Sequence, residues 1–282
     1  MADARKTIKK IGGQKKNSAR RSSSTRRKRR VMPRWKYVTI AALITFGVLA
    51  LAYRPILRPA FTRFVPCSGH KIYGTCIPSG YSVYGIDISH HQGYINWKRL
   101  KKGSPGEPPI SFVYIKATEG SSHKDTRFTE NWDAAKANGF IRGAYHYFGT
   151  RSSGEKQAKL FISKVKMLQG DLPPVVDVED DPKSTAVFQK ELKTFITLLE
   201  EHYKVKPIIY TYKRFHEKYL DDEFFRNYPL WIAHYDVKRP RIRHEWTIWQ
   251  CKENGKIPGI TEKVDINIFN GTIEELQNLV IK

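Results

Sequence analysis

The sequence predicts an α/β fold in which a barrel of eight strands follows a transmembrane helix. Residues 83–282 alternate between short apolar runs and longer stretches with helical periodicity. The first five runs are each followed by a helical stretch, and the last three have little helix between them. Repeated β-α units bury a parallel sheet beneath helices, and eight such strands close into a barrel. The fold class is therefore an irregular TIM-like (β/α) barrel of five β-α units plus three strands.

Cap residues and apolar periodicity set the bounds of the predicted elements. Gly139 ends one helix, and Ser184 caps another that carries an apolar stripe on one face. The strands are predicted at 83–88, 110–116, 141–148, 175–179, 207–212, 230–234, 247–251 and 264–269. The helices are predicted at 97–101, 129–138, 154–167, 184–203, 215–219 and 272–279.

Positive charge is concentrated at the amino terminus. The chain carries 50 Lys+Arg against 27 Asp+Glu, a formal net charge of +23. Residues 1–36 hold 15 of the basic residues and one acid, Asp3, which leaves 35 − 26 = +9 for the remainder. Such a run cannot bury a core, so residues 1–36 are predicted to be a disordered basic tail. Contact with nucleic acid would also use this charge, but a cytoplasmic tail explains it with fewer assumptions, and no nucleic acid is expected as a partner.

Residues 37–53 form an uncharged stretch of 17 residues. As a helix it would span about 25 Å, near the lower limit for crossing a membrane. A buried core helix and a cleaved signal peptide are the alternatives, and the long basic region before it favours an uncleaved anchor. The positive-inside rule then places the tail in the cytoplasm and the rest of the chain in the periplasm or outside the cell. The prediction is a single-pass protein of the cytoplasmic (inner) membrane, with membrane lipid as a partner.

Residues 54–82 are punctuated by proline and glycine, which is typical of a linker. Cys67 and Cys76 in this segment would form a small disulfide loop if the domain is exported. Cys251 continues an apolar strand and is interpreted as a buried thiol. No Cys and His spacing resembles a zinc site, so no metal or cofactor is predicted. Three histidines are interpreted as pocket or loop residues: His90, His91 and His234.

Four acids fall near the ends of predicted strands: Asp87, Asp177, Glu179 and Asp265. Asp177 and Glu179 alternate along one strand, so their side chains share a face about 6–7 Å apart at the backbone. The first and last strands of a closed barrel are neighbours, so Asp87 and Asp265 are expected to meet. Cleavage of a glycosidic bond requires one protonated and one ionised carboxylate. For Asp177 and Glu179 the alternative is solvated acids at the start of a loop, and for Asp87 or Asp265 alone it is a helix cap or a salt-bridge partner.

Aromatic residues gather at the same strand ends, and each of them could equally belong to the core. Alternation along 144–148 sends Tyr145 and Tyr147 to one face. Flat faces with hydroxyl tips suit sugar rings. The candidate substrate-binding residues are Tyr145, Tyr147, Tyr210, Tyr212, Trp231, Tyr235 and Trp249.

Seven motifs occur in order between residues 83 and 271, including Asp177-Val178-Glu179. The others are 84–93 with 95–97, 112–120, 143–148, 209–211, 230–235, and 249–250 with 264–267. Together they resemble the glycoside hydrolase family 25 lysozymes of the Chalaropsis or cellosyl type. The resemblance implies a β/α barrel that hydrolyses the β-1,4 bond between N-acetylmuramic acid and N-acetylglucosamine in peptidoglycan.

The resemblance also implies roles for the four acids. Glu179 matches the proton donor. Asp177 matches its carboxylate partner, which either orients the substrate acetamido group or stabilises charge. Asp87 and Asp265 match two further acids that line the site, and residues 83–282 are then the catalytic barrel.

The predicted function is thus a membrane-anchored muramidase with peptidoglycan glycan strands as its substrate. A charge of +9 on the domain and linker suits an acidic polymer. The alternative is a non-catalytic membrane-tethered peptidoglycan-binding protein. A complete set of acids argues against that alternative, because a binder does not need them. The sequence specifies neither the stereochemical outcome nor an oligomeric state.

Overall fold

Eight strands close into a barrel in the computed structural model, which describes residues 69–282 and the isolated positions Pro33, Lys36 and Thr39. The strands of this region are β1 (His70–Ile72), β2 (Thr75–Ile77), β3 (Tyr84–Ile88), β4 (Ile110–Glu119), β5 (His123–Lys124), β6 (Ile141–Tyr147), β7 (Val175–Asp177), β8 (Ile208–Tyr212), β9 (Leu230–Ala233), β10 (Trp246–Gly255) and β11 (Val264–Phe269). The α-helices are Trp97–Lys102, Phe128–Ala137, Gly154–Lys164, Thr185–Tyr203, Lys213–Phe215, Glu223–Arg226 and Ile273–Leu279. A 3-10 turn spans His90–Gln92, and a π-helical turn spans His216–Leu220.

The barrel order is β3-β11-β10-β9-β8-β7-β6-β4, and the pairing of β4 with β3 closes it. Seven of these strands run parallel to one another, but β11 is antiparallel to both of its neighbours, β10 and β3. The predicted parallel sheet is therefore corrected to a mixed barrel. Residues 256–263 join β10 to β11. This connection allows a hairpin, but it is shorter than the crossover of about a dozen residues that a parallel neighbour requires.

Side-chain caps fix the helices that cover the barrel. Ser184 accepts a hydrogen bond from the backbone nitrogen of Val187 at the start of Thr185–Tyr203. Thr272 and Glu275 form a capping box at the start of the last helix. The apolar stripe predicted for Thr185–Tyr203 faces the core through Phe188, Leu192, Phe195, Ile196 and Leu199.

Aromatic side chains fill the barrel interior beneath the site. Phe112 and Tyr114 of β4 and Trp231 of β9 belong to one buried cluster, which we call the aromatic floor. Gly85 and Gly143 make room for it, because an added Cβ would lie 2.3 Å from the Phe112 ring and 2.1 Å from the Tyr114 ring. The interior is therefore packed, and space for a ligand remains only above this floor.

Strands β1 and β2 form a hairpin within the segment predicted as a linker, 54–82. Tyr73 (φ 51) and Gly74 (φ 69) make its turn in the left-handed backbone region. Tyr73 is buried, and its hydroxyl donates to the Pro108 carbonyl oxygen at 2.8 Å. Residues 70–77 are therefore part of the packed barrel domain and not of a spacer.

The predicted basic tail at 1–36 and transmembrane helix at 37–53 lie outside the described residues, apart from three isolated positions. Within the part of the chain that the structure describes, no helix combines the length and apolar character needed to cross a membrane. Cys76 is disulfide-bonded, whereas Cys67, its predicted partner, lies outside the described residues. Cys251 is a buried free thiol.

Candidate active site

A pocket of about 190 Å³ opens at the carboxyl ends of the parallel strands. The four acids predicted for the site all line it: Asp87, Asp177, Glu179 and Asp265. Asp87 is the fourth residue of β3, and Asp177 is the last residue of β7. Glu179 follows β7 by two residues. The pocket thus gathers carboxylates from the first, fourth and last strands of the barrel.

The reversed direction of β11 brings Asp265 to the mouth of the barrel. Asp265 is the second residue of β11 and pairs in register with Asp87, near the end of β3. In a parallel strand the second residue would lie at the opposite end of the barrel. The two side chains are hydrogen-bonded to each other. Burial, followed by the charge of Asp87, raises the pKa of Asp265 to about 9, so Asp265 is the hydrogen-bond donor and Asp87 the acceptor.

Two amides converge on Asp87 Oδ2. Gln250 Nε2 donates to it at 2.9 Å, and Asn267 Nδ2 donates to it at 2.7 Å. Trp231 Nε1 donates in turn to Asn267 Oδ1 at 2.9 Å, and the Tyr210 hydroxyl donates to Gln250 Oε1 at 2.8 Å. Burial raises the pKa of Asp87, and the amide hydrogen bonds oppose this rise because they favour the ionised carboxylate.

Asp177 and Glu179 form the second carboxylate pair. Asp177 is buried, and its Oδ1 has no hydrogen-bond partner among the described residues. Burial, followed by the charge of Glu179, raises the pKa of Asp177 well above its usual range. Burial, followed by the charge of Asp87, also raises the pKa of Glu179, and the charge of Lys116 opposes that rise. Because like charges disfavour each other, the ionised form of either carboxyl group favours the protonated form of the other.

Four of the seven predicted aromatic residues line the pocket: Tyr145, Tyr147, Tyr210 and Trp231. Tyr212 and Tyr235 lie beside it. Tyr212 packs edge-on against Phe215, with ring centroids 5.7 Å apart. The Tyr235 hydroxyl donates to Gln250 Oε1. These two residues therefore border the mouth of the pocket, and Tyr235 also faces Asp87 and Asp265.

The structure corrects the prediction that Trp249 binds substrate. Its side chain is fully buried on the outer face of the barrel, where its ring centroid lies 5.9 Å from that of Trp246. Its Nε1 donates to the His234 carbonyl oxygen at 2.8 Å. Neighbouring residues of a strand point to opposite faces, so Gln250 faces the pocket in its place. This alternation is the signal that would have identified Gln250.

Lys116, which was not among the predicted site residues, also lines the pocket. Its Nζ donates to Glu119 Oε2 at 2.7 Å and lies 5.0 Å from the centre of the Tyr147 ring. Its charge opposes the rise in the pKa of both Asp177 and Glu179. A lysine inside the apolar strand β4 is the signal that would have identified it, because burying a cation is costly unless it has partners.

Ser89 and His91 complete the rim next to Asp87. His90 lies behind them, with Nδ1 2.7 Å from Oδ2 of the buried Asp125. Within residues 69–282, no group of three or more His, Cys, Asp or Glu side chains is arranged to hold a metal ion. The chemistry available in the pocket is therefore that of paired carboxylates beside tyrosine hydroxyls and one lysine.

Comparison with known proteins places these residues in a family. Residues 86–260 match the family model described as glycosyl hydrolases family 25. The chain is 40% identical over 263 residues to "Uncharacterized protein YegX" of Escherichia coli O6:H1, covering 89% of this chain and 96% of that protein. It is 35% identical over 210 residues to lysozyme M1 of Streptomyces globisporus, covering 69% and 70% of the two chains.

Solved structures resemble the barrel closely. The bacterial lysozyme from Streptomyces coelicolor superposes with a TM-score of 0.65 at 34% identity, covering 71% of this chain and 97% of that chain. The family 25 glycosyl hydrolase from Bacillus anthracis superposes with a TM-score of 0.66 at 35% identity, covering 71% and 94%. The three proteins therefore share one fold over this part of the chain.

Proposed function

The chain belongs to glycosyl hydrolase family 25, and we propose that its pocket hydrolyses the β-1,4 bond between N-acetylmuramic acid and N-acetylglucosamine in peptidoglycan. The protein is a glycoside hydrolase of the muramidase type. The observation that carries the assignment is the gathering of Asp87, Asp177, Glu179 and Asp265 in one pocket. Such a set can hold a protonated acid beside an ionised carboxylate at neutral pH.

Glu179 donates the proton to the leaving glycosidic oxygen. A donor must keep its proton at the working pH. Burial and the negative charge of Asp87 supply that condition, because both raise the pKa of Glu179. Glu179 is only partly buried, whereas Asp177 is 8% exposed, so Glu179 is the more accessible of the two to the substrate oxygen.

Asp177 orients the substrate beside Glu179. Its buried Oδ1 has no partner among the described residues, and an unpaired buried oxygen is costly. An acetamido N–H of the bound sugar would donate to this oxygen and remove that cost. The Lys116 cation opposes part of the rise in the pKa of Asp177 that burial and the charge of Glu179 cause.

Tyr145, Tyr147 and Tyr210 bind the sugar rings above the aromatic floor. Their rings present flat apolar faces, and their hydroxyls reach the polar edge of a pyranose. Tyr212 and Tyr235 extend this surface at the mouth. Trp249 takes no part in it.

The direct test is release of reducing ends from purified peptidoglycan by the full chain. Glu179→Gln keeps the size and hydrogen-bonding capacity of the side chain but cannot donate a proton, so turnover is expected to fall by about 10²–10⁴-fold with binding retained. Glu130→Gln is the matched control, since Glu130 pairs with Arg127 on an outer helix. Undiminished turnover in Glu179→Gln would remove Glu179 from the donor role. A wild-type chain that binds peptidoglycan without cleaving it would be a tether.

We further propose that residues 37–53 anchor the protein in the cytoplasmic membrane, with residues 1–36 in the cytoplasm and the barrel in the periplasm or outside the cell. The support is the uncharged stretch preceded by the basic tail. The disulfide at Cys76 also fits an oxidising compartment. Membranes washed with alkali should retain the full-length protein, and protease added outside the membrane should digest the barrel. A shortened product in the soluble fraction would mean that the segment is cleaved.

A further inference from the structure

Gln250 and Asn267 both lie in motifs of the sequence that reach the pocket. Neither side chain takes part in the proton transfer proposed for Glu179. Both side chains reach the same carboxylate oxygen, Asp87 Oδ2, at 2.9 Å and 2.7 Å. Gln250 is 2% exposed, and Asn267 is fully buried. Two buried amides are therefore committed to one oxygen of one acid.

The orientation of both amides is fixed from behind. Trp231 Nε1 can only donate, so its hydrogen bond to Asn267 Oδ1 forces Asn267 Nδ2 toward Asp87. The Tyr210 and Tyr235 hydroxyls both donate to Gln250 Oε1, which forces Gln250 Nε2 toward Asp87 in the same way. Neither amide can present its oxygen to Asp87 without losing these donors.

We propose that Gln250 and Asn267 are positioning residues that hold Asp87 as an ionised carboxylate facing Glu179, so that Glu179 keeps the proton it delivers. The inference rests on the proposed function, because it assigns Glu179 as the donor. The amides act through Asp87 and do not themselves touch the reacting atoms.

The electrostatics of the pocket agree with this arrangement. The two amide hydrogen bonds lower the pKa of Asp87 against the effect of burial, and Asp265 supplies a third donor. After burial, the charge of Asp87 is the largest cause of the raised pKa of Glu179. The titratable groups that face Asp87 are Asp177, Glu179, Asp265, Tyr145, Tyr210 and Tyr235. Lys116 acts on Asp177 and Glu179 from β4, Asp180 acts on both from the loop after β7, and Glu253 acts on Asp265.

Removal of either amide should change the pH dependence of activity, which a simple loss of packing would not do. In Gln250→Met or Asn267→Leu, Asp87 ionises at higher pH, so its charge no longer supports the proton on Glu179. The midpoint of the acid limb of the kcat/KM profile should then move to higher pH, and the midpoint of the basic limb to lower pH. Each shift should be about one pH unit, the lower end of the effect of a nearby charge on a pKa. The pH range over which the enzyme is active therefore becomes narrower at both its acid and its basic end.

The experiment follows the titration of Glu179 directly, by ¹³C NMR of the carboxyl carbons in the full-length protein, beside the kcat/KM profile. The Glu179 midpoint is expected to fall by about one pH unit in each variant. In an Asp87→Asn background, Gln250→Met should produce no further fall, because the charge through which it acts is already gone. Gln189→Met is the control, since Gln189 Nε2 donates to the Tyr219 carbonyl oxygen on an outer helix, and it should move neither limb.

An unmoved Glu179 midpoint in folded Gln250→Met overturns the inference, as does a shift that persists in the Asp87→Asn background. If Asn267→Leu does not fold, Trp231→Phe frees the orientation of Asn267 and should move the midpoint in the same direction by a smaller amount. The NMR titration does not need turnover. A wild-type chain without muramidase activity would therefore refute the proposed function while the titration still decides the role of the amides.

Discussion

Asp87 and Asp265 lie side by side in register across the antiparallel pairing of β3 with β11, and one proton joins their side chains. A buried pair of acids so close together cannot ionise freely. The pair therefore supplies a negative charge next to Glu179 and also destabilises the folded state. Mutation can separate these two effects.

Asp265 should make the fold less stable as the pH rises. Its pKa is 3.8 ordinarily and about 9 in the folded protein, so between these values the folded state binds a proton that the unfolded state has released. Unfolding then becomes easier with increasing pH across this window. Asp265→Asn does not titrate, so its unfolding free energy relative to wild type should be higher at about pH 8 than at about pH 5. Urea unfolding at both pH values measures this, and an equal difference at both would contradict it.

Lys116→Met should shift the whole kcat/KM profile to higher pH. The Lys116 cation opposes the rise in the pKa of both Asp177 and Glu179, so its loss should raise both. We expect both limbs of kcat/KM to shift to higher pH by about one unit. This differs from the narrowing expected when Gln250 is replaced. The control is Lys124→Met, because Lys124 is exposed and donates to Thr129 Oγ1 on the outside of the barrel, and a similar shift there would refute the assignment.

Trp231 and Trp249 should separate activity from stability. Trp231→Phe removes the donor to Asn267 Oδ1 while keeping a ring in the aromatic floor, so kcat/KM should fall by about tenfold, the equivalent of one hydrogen bond. Trp249→Phe lies away from the pocket and should reduce the unfolding free energy by about 1–3 kcal/mol through lost packing and the loss of its bond to His234. Its kcat/KM should match that of wild type. A large loss of kcat/KM in Trp249→Phe would mean that Trp249 contributes to substrate binding after all.

Asp171→Ala should destabilise the barrel without altering its chemistry. Asp171 forms a two-bond pair with Arg142, at 2.9 Å and 3.2 Å, and both side chains are 3% exposed. Arg142 also stacks over Trp132 at 3.8 Å from the ring centroid. Removing one partner leaves a buried unpaired charge, which costs about 3–5 kcal/mol. Urea unfolding measures the loss, and kcat per folded molecule should be unchanged; a loss below 1 kcal/mol would mean that Arg142 finds other partners.

Local sequence pattern accounts for most of the elements because the barrel strands are apolar and the helices are capped. The helix after Ser184 and the strand at Val264–Phe269 lie where apolar periodicity and caps place them. The direction of β11 depends instead on the length of its connection to β10, which is a property of chain closure rather than of the strand. The hairpin at residues 70–77 escaped prediction because three-residue strands around Tyr73 and Gly74 carry almost no periodic signal.

The acids of the pocket were accessible to sequence reasoning because each stands at a strand end. Gln250 and Lys116 were missed. Strand alternation and a lysine inside an apolar strand point to their positions, but their roles depend on the charges across the barrel. Trp249 shows the opposite failure. Its motif placed it near the site, but strand alternation turned its ring outward.

The join between β3 and β11 also sets the order in which activity can arise. Asp87 forms hydrogen bonds with Asn267, which lies 180 residues later in the chain, and with Asp265 just before it. These bonds cannot form until β11 is in place. A nascent or carboxyl-truncated chain that lacks β11 would have no partners for Asp87 and would leave β3 and β10 as open sheet edges. Closure over such a sequence distance is slow compared with local contacts. Muramidase activity would therefore appear only when β11 has joined the sheet, which makes activity a direct reporter of barrel closure.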